Sequence, residues 1–329
     1  MNFRRTFLGA VLALPALWAF SAPAAAQTGA FPNRPLRMII PFGAGSGVDA
    51  NGRFFAEQLA RQLGQPVVVD NRPGADGAIG MVAVKNAPAD GYTLLLASNS
   101  SLTVNPVVIK NLPYDPVKDF KPVSGLTRGM TVLVVPAGSP YNTLAELLAG
   151  MKKAPTPVAV GTYSSGYRLA VEGFADLAGV KFTNIPYKGA APMFTDLIGN
   201  RLDWAMTDLI GAAELLRSGK LKAIAVTGDS RHEDFPAVPT VRESGPPAFA
   251  GYANYTWASL SIRADTPEDV TARLADALQK TFTEAGTRDF LKRAKVELMP
   301  HTPAEQQQFQ RAETERLRRI ADAAGIKPE

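Results

Sequence analysis

Short apolar runs alternate with amphipathic stretches along most of this chain, and they do so in two successive blocks. In the first, strand-like runs at Leu36–Ile40, Pro66–Val69 and Thr93–Ala97 are separated by helical stretches at Ala50–Leu63 and Gly77–Ala87. Phe55, Leu59 and Leu63 recur every four residues, so the first helix has one apolar face. Strands that are continuously apolar are covered on both faces, which predicts parallel βαβ units and an α/β fold. Between the units, residues 71–77 read Asn-Arg-Pro-Gly-Ala-Asp-Gly, which is turn chemistry.

A Pro-rich passage, Leu112–Pro122, leads through a long apolar run at Met130–Pro136 into the second block. Its helices are predicted at Thr143–Lys152, Gly166–Ala178 and Ala190–Asn200. Its strands fall at Pro157–Gly161, Phe182–Ile185, Asp203–Met206 and Leu221–Thr227. Repetition of the plan predicts two similar lobes rather than one large sheet. The stretch Asp229–Phe249, with Pro236, Pro239, Pro246 and Pro247, is expected to be a loop or linker. A strand at Ala253–Ile262 and amphipathic helices at Thr266–Ala285 and Thr302–Ala324 follow. Thr266 and Thr302 each precede Pro, the pairing of an N-cap with a first helical residue. The Arg- and Glu-rich final helix is expected to pack one face and solvate the other, with no binding role.

Residues 1–26 have the layout of a secretory leader: Arg4 and Arg5, an apolar stretch from Phe7 to Phe20, and Ala24-Ala25-Ala26 ahead of Gln27. No Cys follows, so a lipid anchor on cysteine is excluded. Cleavage after Ala26 and export to a bacterial periplasm are expected. With no cysteine in the chain, a disulfide framework, a thiol nucleophile and a Cys-based metal site are excluded. His232 and His301 are the two histidines, too few and too far apart in sequence for a histidine metal cluster. The net charge of +5 is mild, and no block of like charge suggests nucleic-acid binding.

Chemistry concentrates where the first strand meets the first helix, at Pro41-Phe42-Gly43-Ala44-Gly45-Ser46-Gly47-Val48-Asp49. Glycines let backbone N–H groups converge, and the helix start favours negative charge. A dinucleotide site is disfavoured because Val48 stands where the third fingerprint glycine belongs. A Walker loop is absent, and no serine has the G-x-S-x-G setting of a nucleophile elbow. A second strand–loop–helix junction, Gly161-Thr162-Tyr163-Ser164-Ser165-Gly166-Tyr167-Arg168, matches the first. If both lie at the carboxyl ends of their sheets, they face each other across a crevice and can hold a small di-acid. Ordinary βα turns would look the same.

Many further segments carry a resemblance. They include Arg34-Pro35, Pro41-Phe42 with Asp49, Leu63 to Val69, Asn71 to Ala75, Asp90 to Leu95, Asn111 to Pro116, Asp119-Phe120 and Pro186-Tyr187-Lys188-Gly189. Later come Gly219-Lys220-Leu221, Ala225-Val226-Thr227, Pro236 to Val241 and Ala323 to Lys327. From Phe31 to its C-terminus the chain resembles the periplasmic receptors of tripartite tricarboxylate transporters, the TctC-like or Bug proteins. The resemblance implies a two-lobed, flytrap-like binding protein without catalysis or cofactor. Residues 27–128 with 254–329 would form one lobe and 129–253 the other. Such receptors hold an acidic solute through backbone amides, hydroxyls and water in the two βα loops, and deliver it to membrane permease subunits.

The departures from the family pattern bear on the ligand. The first loop usually reads Pro-Pro-Gly-Gly-Gly-Thr-Asp after Phe; here Gly43, Ala44, Ser46 and Val48 replace two prolines, a glycine and the threonine. Asp49 is kept, as a cap or a solute contact. In the second loop Arg168 takes the place of a histidine, facing either a carboxylate or solvent. Tyr163 and Tyr167 add aromatic area beside Ser164, Ser165 and Gly166. Ser98 and Asn99, after the third strand, are candidates for ligand hydrogen bonds with neighbouring Ser100. Thr207 and Asp208 end another strand; Asp208 either caps a helix or faces the crevice, where it would repel a bare di-acid and pair with an amino group or bind through water. The expected activity is capture by a monomer of a di- or tricarboxylate, an aromatic acid or an amino acid. Alternatives are a receptor feeding a sensory partner and an exported enzyme on the same scaffold.

Overall fold

The computed structural model describes residues 31–44 and 46–328; the expected leader and Gly45 lie outside them. The first block contains β1 (Leu36–Ile40), α1 (Gly47–Leu63), β2 (Val67–Asn71), α2 (Ala78–Lys85) and β3 (Thr93–Ser98). A π-type turn at Ser100–Val104 then runs into short α3 (Asn105–Val108). The second block has β4 (Phe120–Pro136), α4 (Leu144–Lys153), β5 (Val158–Thr162), α5 (Ser165–Ala178), β6 (Phe182–Pro186), α6 (Ala190–Ile198), β7 (Trp204–Asp208), α7 (Leu209–Arg217), β8 (Leu221–Val226) and α8 (Val241–Ser244). The chain closes with β9 (Tyr255–Arg263), α9 (Glu268–Thr283), α10 (Ala285–Ala294), β10 (Glu297–Leu298) and α11 (Pro303–Ala323).

The strands follow the order β2-β1-β3-β9-β4-β7-β5-β6, with β10 and β8 also pairing with β4. β1 lies parallel to β2 and β3, Met38 standing opposite Val69 and Leu94, while β9 runs antiparallel to β3 and β4. In the second sheet β5 is parallel to β6 and β7, and β4 is antiparallel to β7 and β8. Each half is thus a parallel core completed by antiparallel strands. One expectation needs correction: two blocks do not make two separate sheets, because β4 serves both. Its residues Phe120–Met130 pair with β9, and Thr131–Pro136 pair with β7 and β8. The first ten residues of β4 lie ahead of the expected apolar run, and residues 120–122 end the Pro-rich passage. Pro122 is tolerated there beside a register shift, where a missing N–H breaks no regular ladder.

Helices cover both faces of each half. On the first sheet Ile39, Met81 and Leu95 pack on the α2 side, while Phe55 of α1 lies edge-on to Phe282 of α9. Phe54 stacks on Phe290 of α10 at 4.0 Å. On the second sheet Phe174, Trp204 and Phe249 fill one face, and Met193, Leu197 and Leu209 the other. Val104, Val107, Leu169, Leu317 and Ala321 form a further cluster joining α5 to α11 and α3. Gly173 of α5 makes this approach possible, since a Cβ there would lie 2.9 Å from the Ile320 side chain.

Several local expectations change. Thr302 caps α11 in a full capping box with Glu305, but Thr266 caps nothing: α9 starts after Pro267, and the Thr266 side chain is buried. The stretch 229–249 holds α8, capped by Thr240, and a 3-10 turn at Pro247–Phe249. α10, an amphipathic helix, and the two-residue β10 add to the expected elements, between Ala285 and Thr302.

Candidate functional site

The first junction begins where β1 ends. Ser46 has extended backbone and its Oγ accepts the Asp49 N–H at 3.2 Å, so α1 starts at Gly47, three residues before the apolar pattern. Asp49 is therefore not the cap. It sits one turn in, buried, with its carboxylate accepting from Asn71 Nδ2 at 2.9 Å and from Arg53 Nε at 3.0 Å. Asn71 Nδ2 also donates to the Phe42 carbonyl at 3.0 Å, pinning the loop to the end of β2. Phe42 and Val48 are half-buried, while Gly43 and Ala44 are exposed. The first intrahelical acceptor, Ser46 O, is used by Ala50, which leaves Gly47 and Val48 N–H without helical partners.

The loop is braced from beneath by a left-handed turn in which Gly74, Ala75, Asp76 and Gly77 all have positive φ. Non-glycine residues rarely adopt this conformation, so Ala75 and Asp76 hold local strain. Gly80 follows, and a Cβ there would lie 2.7 Å from Pro41 Cα.

At the second junction Ser164 caps α5, its Oγ accepting the Tyr167 N–H at 3.4 Å. The Tyr163 and Tyr167 rings lie 4.3 Å apart, inclined at 40°. The Tyr163 hydroxyl donates to Asp208 Oδ2 at 3.1 Å and lies 3.2 Å from Thr207 Oγ1. Asp208 occupies the N-cap position of α7 without capping it; its Oδ1 instead accepts from Thr256 Oγ1 of β9 at 3.2 Å. The cap expectation for Asp208 is thus replaced by a bridge between strands. Burial, followed by the nearby Asp208 charge, raises both tyrosine pKa values well above the ordinary range, so both phenols stay neutral.

Where β3, β9, α5 and α11 meet, a cavity of about 40 Å³ opens. It has room for a water or two. The expected residues Asn99, Ser164, Gly166 and Tyr167 line it. Ser98 lies buried just behind, at the end of β3. Sequence reasoning missed Thr103, Asn254, Thr256, Glu313 and Arg316, which line it too. The final helix, expected to pack one face and solvate the other, therefore reaches this cavity. Its i,i+3 Glu–Arg spacing was the available signal: Arg316 Nε and Nη2 hold Glu313 at 3.0 and 2.8 Å. Burial works against the Arg316 charge, and the pairing more than offsets it.

Other expected residues stand apart. Of the first loop, Phe42, Gly43, Ala44 and Ser46 do not line this cavity. Ser165 and Arg168 are turned to the outer side of α5, toward Val108, Ile326 and Lys327. There Arg168 Nε lies 3.8 Å from Glu172 Oε1. Among the described residues no group of three or more His, Asp or Glu side chains is placed to hold a metal ion. His232 Nδ1 accepts the Asp234 N–H, and His301 meets Gln306.

Residues 52–326 match the family model described as tripartite tricarboxylate transporter family receptor. The chain is 39% identical over 232 residues to the protein BugT of Bordetella pertussis, covering 70% of this chain and 71% of BugT. An R. palustris protein solved with adipate superposes at a TM-score of 0.79 with 30% identity, over 91% of this chain and 100% of that one. MatC from Rhodopseudomonas palustris, solved with bound malate, superposes at 0.73 with 27% identity, over 88% and 99% of the two chains. These likenesses place the fold among the α/β periplasmic-binding-protein architectures, and the family is one of solute receptors, not enzymes.

Proposed function

Because the chain belongs to the tripartite tricarboxylate transporter receptor family, we propose that it captures a small organic acid between two lobes and passes it to the membrane subunits of such a transporter. Residues 27–128 with 254–329 form one lobe and 129–253 the other, joined through β4 and the segments flanking β9. The observation that carries this reading is the pair of capped helix starts, Ser46–Gly47 and Ser164–Ser165. One follows a parallel strand of each sheet, and each offers unpaired backbone N–H groups to an anion. The adipate and malate held by related proteins fit the same chemistry.

In this reading Gly43, Ala44 and Ser46, with the free N–H groups of Gly47 and Val48, cradle one carboxylate. Ser164 and Gly166, with Ser98 and Asn99, take the opposite end of the solute. Buried hydroxyls and amides supply orientation without a net charge. The small present volume implies hinge opening before a solute enters, with closure around it afterwards. Residues 1–26 direct export and are removed after Ala26, which N-terminal sequencing of the secreted protein tests. Thermal-shift screening with aliphatic di- and tri-acids, aromatic acids and amino acids tests capture: at least one should raise the melting temperature in proportion to the logarithm of its concentration. If none does, organic-acid capture is wrong. Uptake of the stabilising solute by cells with and without the transporter's membrane subunits tests delivery.

A further inference from the structure

The second junction is built for a group that a simple di-acid lacks. Asp208 is half-buried, and its carboxylate is oriented by two hydroxyls from opposite sides, Tyr163 at 3.1 Å and Thr256 at 3.2 Å. Each carboxylate oxygen keeps further acceptor capacity. Beside it stand two tyrosine rings, 4.3 Å apart. Tyr167 is only 8% exposed and lines the cavity, and its hydroxyl lies near Asp208 and Tyr163 but outside good hydrogen-bond geometry with either. A buried hydroxyl without a partner is costly unless something bound completes it.

Among the described residues no cation is ion-paired with Asp208. Arg316 is bound at two points to Glu313, Arg168 faces Glu172 on the outer side of α5, and Arg53 is held by Asp49 and Asn71. A carboxylate beside Asp208 would meet a like charge in a partly desolvated place, where repulsion is poorly screened. An ammonium would gain an ion pair, a hydroxyl acceptor on Tyr167 and the electron-rich faces of aromatic rings.

Resting on the organic-acid reading above, we infer that Asp208, Tyr163 and Tyr167 form an ammonium subsite, so that the solute is an amine-bearing carboxylate rather than a plain di-acid. The carboxylate of the zwitterion lies toward the helix starts and its amine toward Asp208. The neutral tyrosines add acceptors and ring faces without adding charge.

Calorimetric titration with isosteric pairs tests this: succinate against β-alanine, glutarate against 4-aminobutanoate, and adipate against 5-aminopentanoate, with 4-(trimethylammonio)butanoate as a probe of the aromatic faces. In at least one pair the amino acid should bind tenfold or more tightly than its di-acid. Asp208→Asn should remove that preference while the unliganded variant keeps its cooperative melting transition. Di-acids that bind as well as or better than their partners would overturn the ammonium subsite and leave organic-acid capture standing. A preference that survives Asp208→Asn would overturn it too. If neither member of any pair binds, the ammonium subsite is overturned, and organic-acid capture is decided by the wider screen of tri-acids, aromatic acids and other amino acids. The ratio in the unaltered protein is decisive even if the variant fails to fold.

Discussion

Thr227 shows how much one side chain can carry at the crossing between the sheets. It is fully buried, and its Oγ1 accepts the Thr131 N–H at 3.0 Å, while lying 2.6 Å from Asn254 O and 3.0 Å from Thr131 O. Thr131 is the residue at which β4 passes from β9 to β7 and β8, and Asn254 immediately precedes β9. Thr227→Val preserves shape but leaves a buried N–H and a carbonyl unpaired. It should lower stability by about 1–3 kcal/mol in urea denaturation; a change below about 0.5 kcal/mol would mean the crossing is held by packing alone. Ser46→Ala belongs at the same scale. Losing its cap should lower stability by about 1 kcal/mol, and an unchanged denaturation midpoint would show that the loop, not the cap, fixes the start of α1.

Among the elements, α2 and α11 brace the site without belonging to the two junctions. Gly80 lets α2 press on Pro41, where an added methyl would meet backbone at 2.7 Å and Arg72 O at 3.0 Å. Backbone cannot swing aside as a side-chain tip can, so Gly80→Ala should destabilise by about 1–3 kcal/mol. It should also weaken solute binding, because Pro41 opens the first loop. Melting and titration of the same sample check both, and unchanged affinity would separate the first loop from binding. α11 spans more of the molecule: Phe309 packs on Trp257 near the first sheet, Arg316 reaches the cavity, and Leu317 and Ala321 join the cluster against α5.

For the whole molecule, ligand and pH act by linkage. A solute that binds only the folded state at one hundred times its Kd adds about 2.7 kcal/mol to stability, which a melting series should follow. His232 gives the pH response. Burial first, and then the charge of Lys295, lower its pKa below the ordinary 6.5, with Glu233 and Glu297 opposing. Lys295 is itself ion-paired to Asp234, whose N–H binds the His232 ring. Since the folded state binds this proton less readily than the unfolded chain, stability falls as pH drops below about 6.5. His232→Asn, which keeps an acceptor for the Asp234 N–H, should flatten the decline between pH 7 and 5.5. Parallel curves for the two proteins would assign the decline elsewhere.

The sequence by itself determined the α/β alternation, both βα junctions, the capping by Thr302 and the family, because each rests on local periodicity or on residues adjacent in the chain. Only the tertiary structure decided that Ser46 rather than Asp49 caps α1, that Asp208 bridges Tyr163 to Thr256, and that Arg168 faces outward. The same is true of Glu313 and Arg316 reaching the cavity from the last helix. The Asp208 bridge and the reach of the last helix depend on partners distant in the chain, whereas Ser46 and Arg168 are settled by neighbours three and four residues away among several local alternatives. Propensity and spacing carry no signal for contacts made across so long a loop.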